Sequence, residues 1–92
     1  MSGVTAIVLI KAETQLINEL SEQLVEVDGI SEVFSVAGQY DLVALVRVRE
    51  NAELAEVITH RIRKLRGLLE TQTLIAFRAY TKQELSYGVD VE

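Results

Sequence analysis

Residues 27–48 read VDGISEVFSVAGQYDLVALVRV and decide the fold, because they hold two strand patterns joined by a short turn. Residues 30–37 are rich in β-branched side chains and lie between two glycines, which predicts a strand. Residues 38–41, GQYD, have the composition of a tight turn. Residues 42–48, LVALVRV, predict the next strand. Because the connection is so short, the two strands should pair as an antiparallel hairpin.

The residues before this hairpin predict a strand followed by a helix. Residues 4–11 are mostly apolar and predict the first strand. From Thr14 onwards, apolar residues recur at spacings of three and four, which predicts an amphipathic helix with Thr14 as its N-cap. The helix should end at Asp28-Gly29, because glycine readily adopts the left-handed conformation found after helices. The apolar stripe of this helix is Leu16, Leu20, Leu24 and Val27.

The residues after the hairpin predict a second helix and a last strand. Asn51 is a good N-cap, and Glu53 falls in the positively polarised first turn. Gly67 should end this helix, and residues 69–80 predict the fourth strand. Residues 81–92 form a mostly polar tail, to which the sequence pattern assigns no helix or strand. The buried stripe of the second helix is expected at Leu54, Ile58, Ile62 and Leu65.

The order β-α-β-β-α-β predicts an α+β, ferredoxin-like fold, in which a four-stranded antiparallel sheet carries both helices on one face. Residues 1–80 would form this single domain and residues 81–92 its tail. An internal repeat supports two similar halves. Residues 27–32, VDGISE, and residues 65–70, LRGLLE, both run from a helix end through a glycine and an apolar residue into a strand.

The composition excludes several kinds of site. With no Cys, and with His60 as the only His, the chain offers neither a disulfide nor a Cys/His zinc site, and we expect no metal and no cofactor. A net charge of -5 repels a phosphate backbone, so direct binding to nucleic acid is not expected. Residues 6–10, the longest apolar run near the N-terminus, are too few to span a membrane. We therefore expect a soluble, cytoplasmic protein with no membrane partner.

The two presumed central strands are apolar on both faces. Residues 6–10 and residues 42–46 do not alternate with polar residues, although the helices of this chain can cover only one face of the sheet. The other face would expose an apolar patch that soluble monomers rarely tolerate. We expect a second subunit to pack its own sheet on this face, as a two-fold dimer. In the alternative, the tail at 81–92 folds back over part of the patch.

Two polar segments within apolar surroundings form the candidate ligand site. In residues 38–41 the glycine permits a close approach to a ligand, and the carboxylate of Asp41 can pair with an ammonium group. The hydroxyls of Thr71 and Thr73, with nearby backbone amides, can bind a carboxylate. Each segment also has an ordinary interpretation, because Gly and Asp form turns and Thr is common in strands. The candidate ligand-binding residues are Gly38, Gln39, Tyr40, Asp41, Thr71 and Thr73.

The sequence predicts no catalytic residue. His60 lies on the flank of the second helix, where a lone His is usually a surface residue, and there is no Cys for it to activate. No Gly-rich phosphate loop is present. A basic run could hold an anion, but positive charge also suits the negative end of a helix. That run is Arg61, Arg63, Lys64 and Arg66.

The chain resembles the effector-binding domain of the Lrp/AsnC transcription regulators, also called the RAM domain, over about residues 4–80. The shared pattern is Gly29-Ile30-x-x-Val33-x-x-Val36-x-Gly38-x-Tyr40-Asp41-Leu42-Val43, then Gly67-Leu68-x-x-Thr71-x-Thr73. The resemblance implies a dimer through the sheets, dimers joined into octameric or decameric rings, and amino-acid effectors bound between dimers. By position, residues 38–41 and 71–73 would lie at the effector pocket.

Family members usually begin with a helix-turn-helix DNA-binding domain, for which this sequence has no room, so we expect a stand-alone form that does not bind DNA itself. The leading hypothesis is an amino-acid-responsive, oligomeric binding module that is not an enzyme and that forms mixed assemblies with full-length Lrp/AsnC-type regulators. The alternative is a small dimeric ferredoxin-like enzyme with a pocket between sheet and helices. For such an enzyme, His60 is the only His available.

Overall fold

The computed structural model describes residues 3–82, and within them it confirms the predicted order of strands and helices. The strands are β1 (Val4–Ala12), β2 (Ile30–Ser35), β3 (Leu42–Val48) and β4 (Leu68–Ala76). The helices are α1 (Ile17–Val25), which follows a 3-10 turn at Thr14–Leu16, and α2 (Asn51–Glu56), which continues as a π-helical segment at Val57–Ile62. Residues 83–92, the larger part of the predicted tail, lie outside the described residues.

The four strands form one antiparallel sheet in the order β2-β3-β1-β4. The sheet therefore has the ferredoxin-like topology that the sequence predicts, and β1 and β3 are its central strands. Ile7 lies opposite Leu45 of β3 on one side and opposite Leu74 of β4 on the other. This register fixes which side chains share a face, because paired residues in antiparallel strands point to the same side.

The core lies between the sheet and the helices. Alternate residues of β1 and β3 are fully or nearly fully buried there, as the period of a strand requires. Leu20 and Leu24 of the first helix and Leu54 of the second pack onto them. The buried residues are Ala6, Val8, Ile10, Ala12, Leu20, Leu24, Leu42, Ala44, Val46, Val48, Leu54, Val57 and Ile62.

The opposite side of the sheet, which we call the open face, carries a continuous apolar patch. Two cross-strand rows form it. The first row runs Phe34, Val43, Leu9 and Gln72 across the four strands, and the second runs Glu32, Leu45, Ile7 and Leu74. The central residues of both rows are half-buried by their neighbours, whereas Phe34 is 46% and Leu74 is 43% exposed. Within residues 3–82, no helix covers this face, because both helices pack on the other side.

The structure corrects both predicted helix caps. Thr14 is not an N-cap but the first residue of the 3-10 turn, which the bond from Leu16 N–H to Glu13 O closes at 2.8 Å. Asn51 is the first residue of α2, with Glu50 at the cap position. Neither helix start has a side-chain capping bond. None of the helices within residues 3–82 is long and apolar enough to cross a membrane.

Two strands are shorter than predicted, because a strand ends where its partner does. Residues 69–80 were expected in the fourth strand, but its pairing with β1 ends at Thr5 and Ala76, so β4 stops there and begins one residue earlier, at Leu68. The second strand ends at Ser35 rather than at residue 37, since Ser35 pairs with Leu42, the first residue of β3.

Candidate functional site

The loop at 38–41 is shaped by its glycine. Gly38 has a φ of +142°, a conformation that side chains rarely adopt, and a Cβ added there would meet no other atom within 4 Å. The backbone of the loop is closed by a 3.0 Å hydrogen bond from Val36 N–H to Asp41 O. Gly38 and Gln39 are exposed, while Tyr40 and Asp41 are half-buried. The glycine is therefore required by the backbone, and the space beside it is open.

Asp41 holds the loop to the end of β1. Its N–H donates to Ile10 O at 2.8 Å, and its Oδ2 accepts a 2.9 Å hydrogen bond from Ala12 N–H. The pairing of β1 with β3 ends at Ile10 and Leu42. The Asp41 carboxylate thus supplies a hydrogen-bond acceptor to Ala12, a buried residue of β1 beyond that last pair. Sequence reasoning missed this bond, although Asp is a residue that commonly bonds to nearby backbone in turns.

The threonines of the second segment lie on β4, at the edge of the sheet. Thr71 is opposite Ile10 and Thr73 is opposite Val8, so both hydroxyls point to the helix side of the sheet. Thr71 is exposed and Thr73 is half-buried. Ile75, on the same side of β4, is 52% exposed, which shows that the helices leave this edge strand largely uncovered.

A side-chain hydrogen bond connects the two segments. Tyr40 Oη donates to Gln72 Oε1 at 2.8 Å. Gln72 lies opposite Leu9 and so belongs to the open face, whereas its neighbours Thr71 and Thr73 point to the other side. The structure therefore brings the two predicted segments together, because Tyr40 contacts Gln72 and because Asp41 N–H donates to the O atom of Ile10, which lies opposite Thr71. The side chains of Thr71 and Thr73 lie on one side of β4 and that of Gln72 on the other. Gln72 was not predicted as a site residue, since it occupies the unspecified position between the two threonines.

His60 and the basic run lie on the surface of the helix side. The His60 side chain is 72% exposed, and its Nδ1 lies 3.2 Å from Glu56 Oε1. Arg61 Nη1 donates to Asp28 O at 2.8 Å, so this side chain connects the second helix to the residues that follow the first helix. Within residues 3–82, no group of three His, Cys, Asp or Glu residues could hold a metal ion.

Several curated proteins that are similar in sequence to this chain are described as helix-turn-helix-type transcriptional regulators. A family model described as the Lrp/AsnC ligand binding domain matches residues 5–85. A helix-turn-helix-type transcriptional regulator of Pyrococcus horikoshii is 34% identical over 80 residues, which are 82% of this chain and 52% of that protein. The chain thus spans about half the length of the curated relatives it matches.

Solved structures share the fold over most of the chain. A crystal structure of a Thermus thermophilus protein has a TM-score of 0.81 and 46% identity, and the match covers 86% of this chain and 99% of that one. A transcriptional regulator of Neisseria meningitidis, solved as a complex with L-Met, has a TM-score of 0.75 over 86% of this chain and 54% of its own. At 8% identity, that second likeness is one of fold alone.

The family match runs through both segments of the candidate site, at residues 38–41 and 71–73, as well as through all four strands. It confirms the resemblance that the sequence pattern indicates. The chain belongs to the Lrp/AsnC family and carries its ligand-binding domain.

Proposed function

We propose that this chain is an amino-acid-binding, homo-oligomeric module that modulates transcription regulators of its own family. The observation that carries the proposal is the contact between the two polar segments, in which Tyr40 of residues 38–41 donates a hydrogen bond to Gln72 of residues 71–73. The relatives are transcriptional regulators, and the matched domain is described as ligand-binding. The ligand-binding residues would be Gly38, Gln39, Tyr40, Asp41, Thr71 and Thr73.

An amino acid matches the chemistry of the segments. Asp41 would pair with the ammonium group, because one carboxylate can accept several hydrogen bonds and Ala12 N–H uses one oxygen. The hydroxyls of Thr71 and Thr73, with exposed backbone amides, would hold the carboxylate. The Neisseria meningitidis regulator, whose fold is similar, was solved with L-Met, which supports an amino acid as the class of ligand.

The segments are too exposed to enclose a ligand alone. Small-molecule sites usually bury most of the ligand surface, whereas Gly38, Gln39 and Thr71 all lie open in one chain. A second chain would therefore supply the rest of the pocket. The open face supports such assembly, because an apolar patch spanning all four strands is rarely left in water. We propose a two-fold dimer through the open faces, with dimers joined into a ring around the ligands.

The proposed partners are full-length regulators of the same family. The sequence similarity to a Pyrococcus horikoshii regulator extends over 80 residues, so a mixed dimer would pack two sheets of the same family domain face to face. If the ligand binds one assembly more tightly than another, ligand binding would raise the population of the assembly that it binds more tightly. Because such a modulator works beside the regulators, the proposed place of action is the cytoplasm. The alternative of an enzyme has less support, since His60 lies on the second helix with its side chain 72% exposed, whereas a catalytic residue would have to line a pocket between sheet and helices.

The thermal midpoint of unfolding, measured against a panel of the common amino acids, tests the proposal. A ligand at one hundred times its dissociation constant stabilises a binding chain by about 2.7 kcal/mol, which corresponds to a rise of several degrees for a domain of this size. The proposal expects such a rise with one or a few amino acids. No rise with any of them, in a chain shown by circular dichroism to be folded, would contradict it.

A further inference from the structure

On the helix side of the sheet, β4 carries a row of three side chains that the helices leave open: Thr71, Thr73 and Ile75. Each lies opposite a residue of β1 that is fully buried in the core. In the row itself, Thr71 is exposed, Thr73 is half-buried and Ile75 is 52% exposed. The helices therefore cover β1 but leave this side of β4 accessible to a small molecule.

Ile75 is the apolar member of this row. A single exposed isoleucine is ordinary by itself, because much of any protein surface is apolar. Its position gives it significance, since successive residues on one side of a strand form a continuous surface and Ile75 follows Thr71 and Thr73 on that side. The two threonines are the proposed carboxylate-binding residues. Ile75 therefore borders the proposed site directly.

The two ends of the row lie at different distances from Asp41. Asp41 N–H donates to Ile10 O, and Ile10 lies opposite Thr71. Ile75 is four residues further along β4, which is about 13 Å from Thr71 at the rise of a β-strand. With the ammonium group of an amino acid at Asp41 and its carboxylate at the threonines, the remaining large substituent of its Cα points along the row, towards Ile75.

The surface along this row is uncharged. Residues 71–77, TQTLIAF, contain no acid and no base. The acid before them, Glu70, lies opposite Lys11 and belongs to the open face, on the other side of the sheet. A charged ligand side chain against Ile75 would lose hydration without gaining a partner, whereas an apolar side chain would remove its own surface and that of Ile75 from water together.

We propose that Ile75 is a specificity-determining residue, which contacts the side chain of the bound amino acid and favours amino acids whose side chain is apolar. This inference rests on the proposed function, because it needs an amino acid held by Asp41 and the two threonines. It extends that function by naming the class of amino acid and the residue that selects it.

The thermal midpoint of the wild-type chain with two groups of amino acids tests the class of ligand. One group is leucine, isoleucine, valine, methionine and phenylalanine, and the other is aspartate, glutamate, lysine and arginine. The expected result is a rise of several degrees with one or more members of the first group and none with the second. A rise with a charged amino acid that equals or exceeds the rise with every apolar one would overturn the inference.

A matched pair of variants tests the residue. Ile75→Thr replaces an ethyl group by a hydroxyl, and Val25→Thr makes a similar change on α1 at a residue that is also 52% exposed. Calorimetric titration with the apolar amino acid that gives the largest rise measures the affinity. Ile75→Thr should weaken binding about tenfold, because each buried CH2-sized group contributes about fourfold. Val25→Thr should bind as the wild type does, and an unchanged affinity in Ile75→Thr would overturn the inference.

A charge at position 75 should change the preference rather than only weaken it. In Ile75→Glu, a carboxylate would lie where the ligand side chain is expected, so that variant should lose the response to apolar amino acids and respond to lysine or arginine instead. The strand edge is exposed there, so the substitution should leave the fold intact, which circular dichroism checks. An Ile75→Glu variant that keeps the preference of the wild type would contradict the assignment of Ile75.

The outcomes separate this inference from the proposed function. A wild-type chain that responds to no amino acid would contradict the proposed function itself. A response to amino acids that is unaffected by changes at Ile75 would overturn this inference alone. Sedimentation equilibrium of the Ile75 variants covers the remaining occupant of the row, a second chain. A lower mass with an unchanged ligand preference would assign the row to a contact between chains and would also overturn the inference.

Discussion

Tyr40 Oη and Gln72 Oε1 form a 2.8 Å hydrogen bond between residues 32 positions apart in the chain. This bond joins the turn before β3 to the edge strand β4 across the intervening strand β1. We expect Tyr40→Phe and Gln72→Met to show a coupling energy of about 0.5–1 kcal/mol in a double-mutant cycle, because each change removes the same bond. Urea unfolding at one fixed protein concentration measures it. Strictly additive free energies would show that the bond contributes nothing to stability.

Asp41 has two separable roles, a structural bond to Ala12 N–H and a proposed charge pair with the ligand. Asp41→Ala leaves a buried backbone N–H unpaired and should cost about 1–3 kcal/mol of unfolding free energy. Asp41→Asn keeps an acceptor oxygen and should cost less, yet it should lose the thermal response to amino acids, because the charge is gone. A full thermal response in the Asp41→Asn variant would rule out this carboxylate as the ammonium partner.

Gly29 and Gly38 both have positive φ but differ in the space around them. A Cβ at Gly29 would lie 2.8 Å from Val57 Cγ2, whose side chain is fully buried, whereas a Cβ at Gly38 would meet nothing. Both Gly→Ala changes should cost about 1 kcal/mol for the backbone. Gly29→Ala should cost about 1–3 kcal/mol more for overpacking. Thermal or urea unfolding of the two variants compares them, and equal losses would mean that Val57 moves aside freely.

The bounds of a strand could be predicted where the local pattern of apolar residues is sufficient to define them. Leu42–Val48 was predicted to the residue, because an uninterrupted run of apolar residues after a turn leaves few alternatives. The end of β4 could not be predicted, since it depends on where β1 offers a partner at Thr5. The helix starts were missed for a related reason, because the chain begins both helices without the side-chain caps that Thr14 and Asn51 would supply.

In the candidate site too, some features could be predicted from the local sequence and others depend on how the strands pair. The composition of residues 38–41 and the threonines identified two polar segments, and the structure brings these two segments into contact. The bond from Tyr40 to Gln72 and the bond from Ala12 to Asp41 depend on strand register, which no local pattern contains. Thr71 and Gln72 lie on opposite sides of β4 because successive strand residues alternate, whereas the register decides which of the two faces the helices.

Assembly through the open face is central to the proposed function, and the mass of the chain in solution tests it most directly. Leu45 lies in the middle of that face, opposite Ile7. A lysine there would place a charge in the proposed contact, whereas Val25→Lys changes a residue on α1 that is 52% exposed and serves as the matched control.

Sedimentation equilibrium at about 1 M NaCl, where exposed charges are screened, compares the three chains. We expect dimers for the wild type and for Val25→Lys, and a folded monomer for Leu45→Lys. A wild-type monomer, or a Leu45→Lys variant that dimerises as tightly as the wild type, would contradict the proposed dimer.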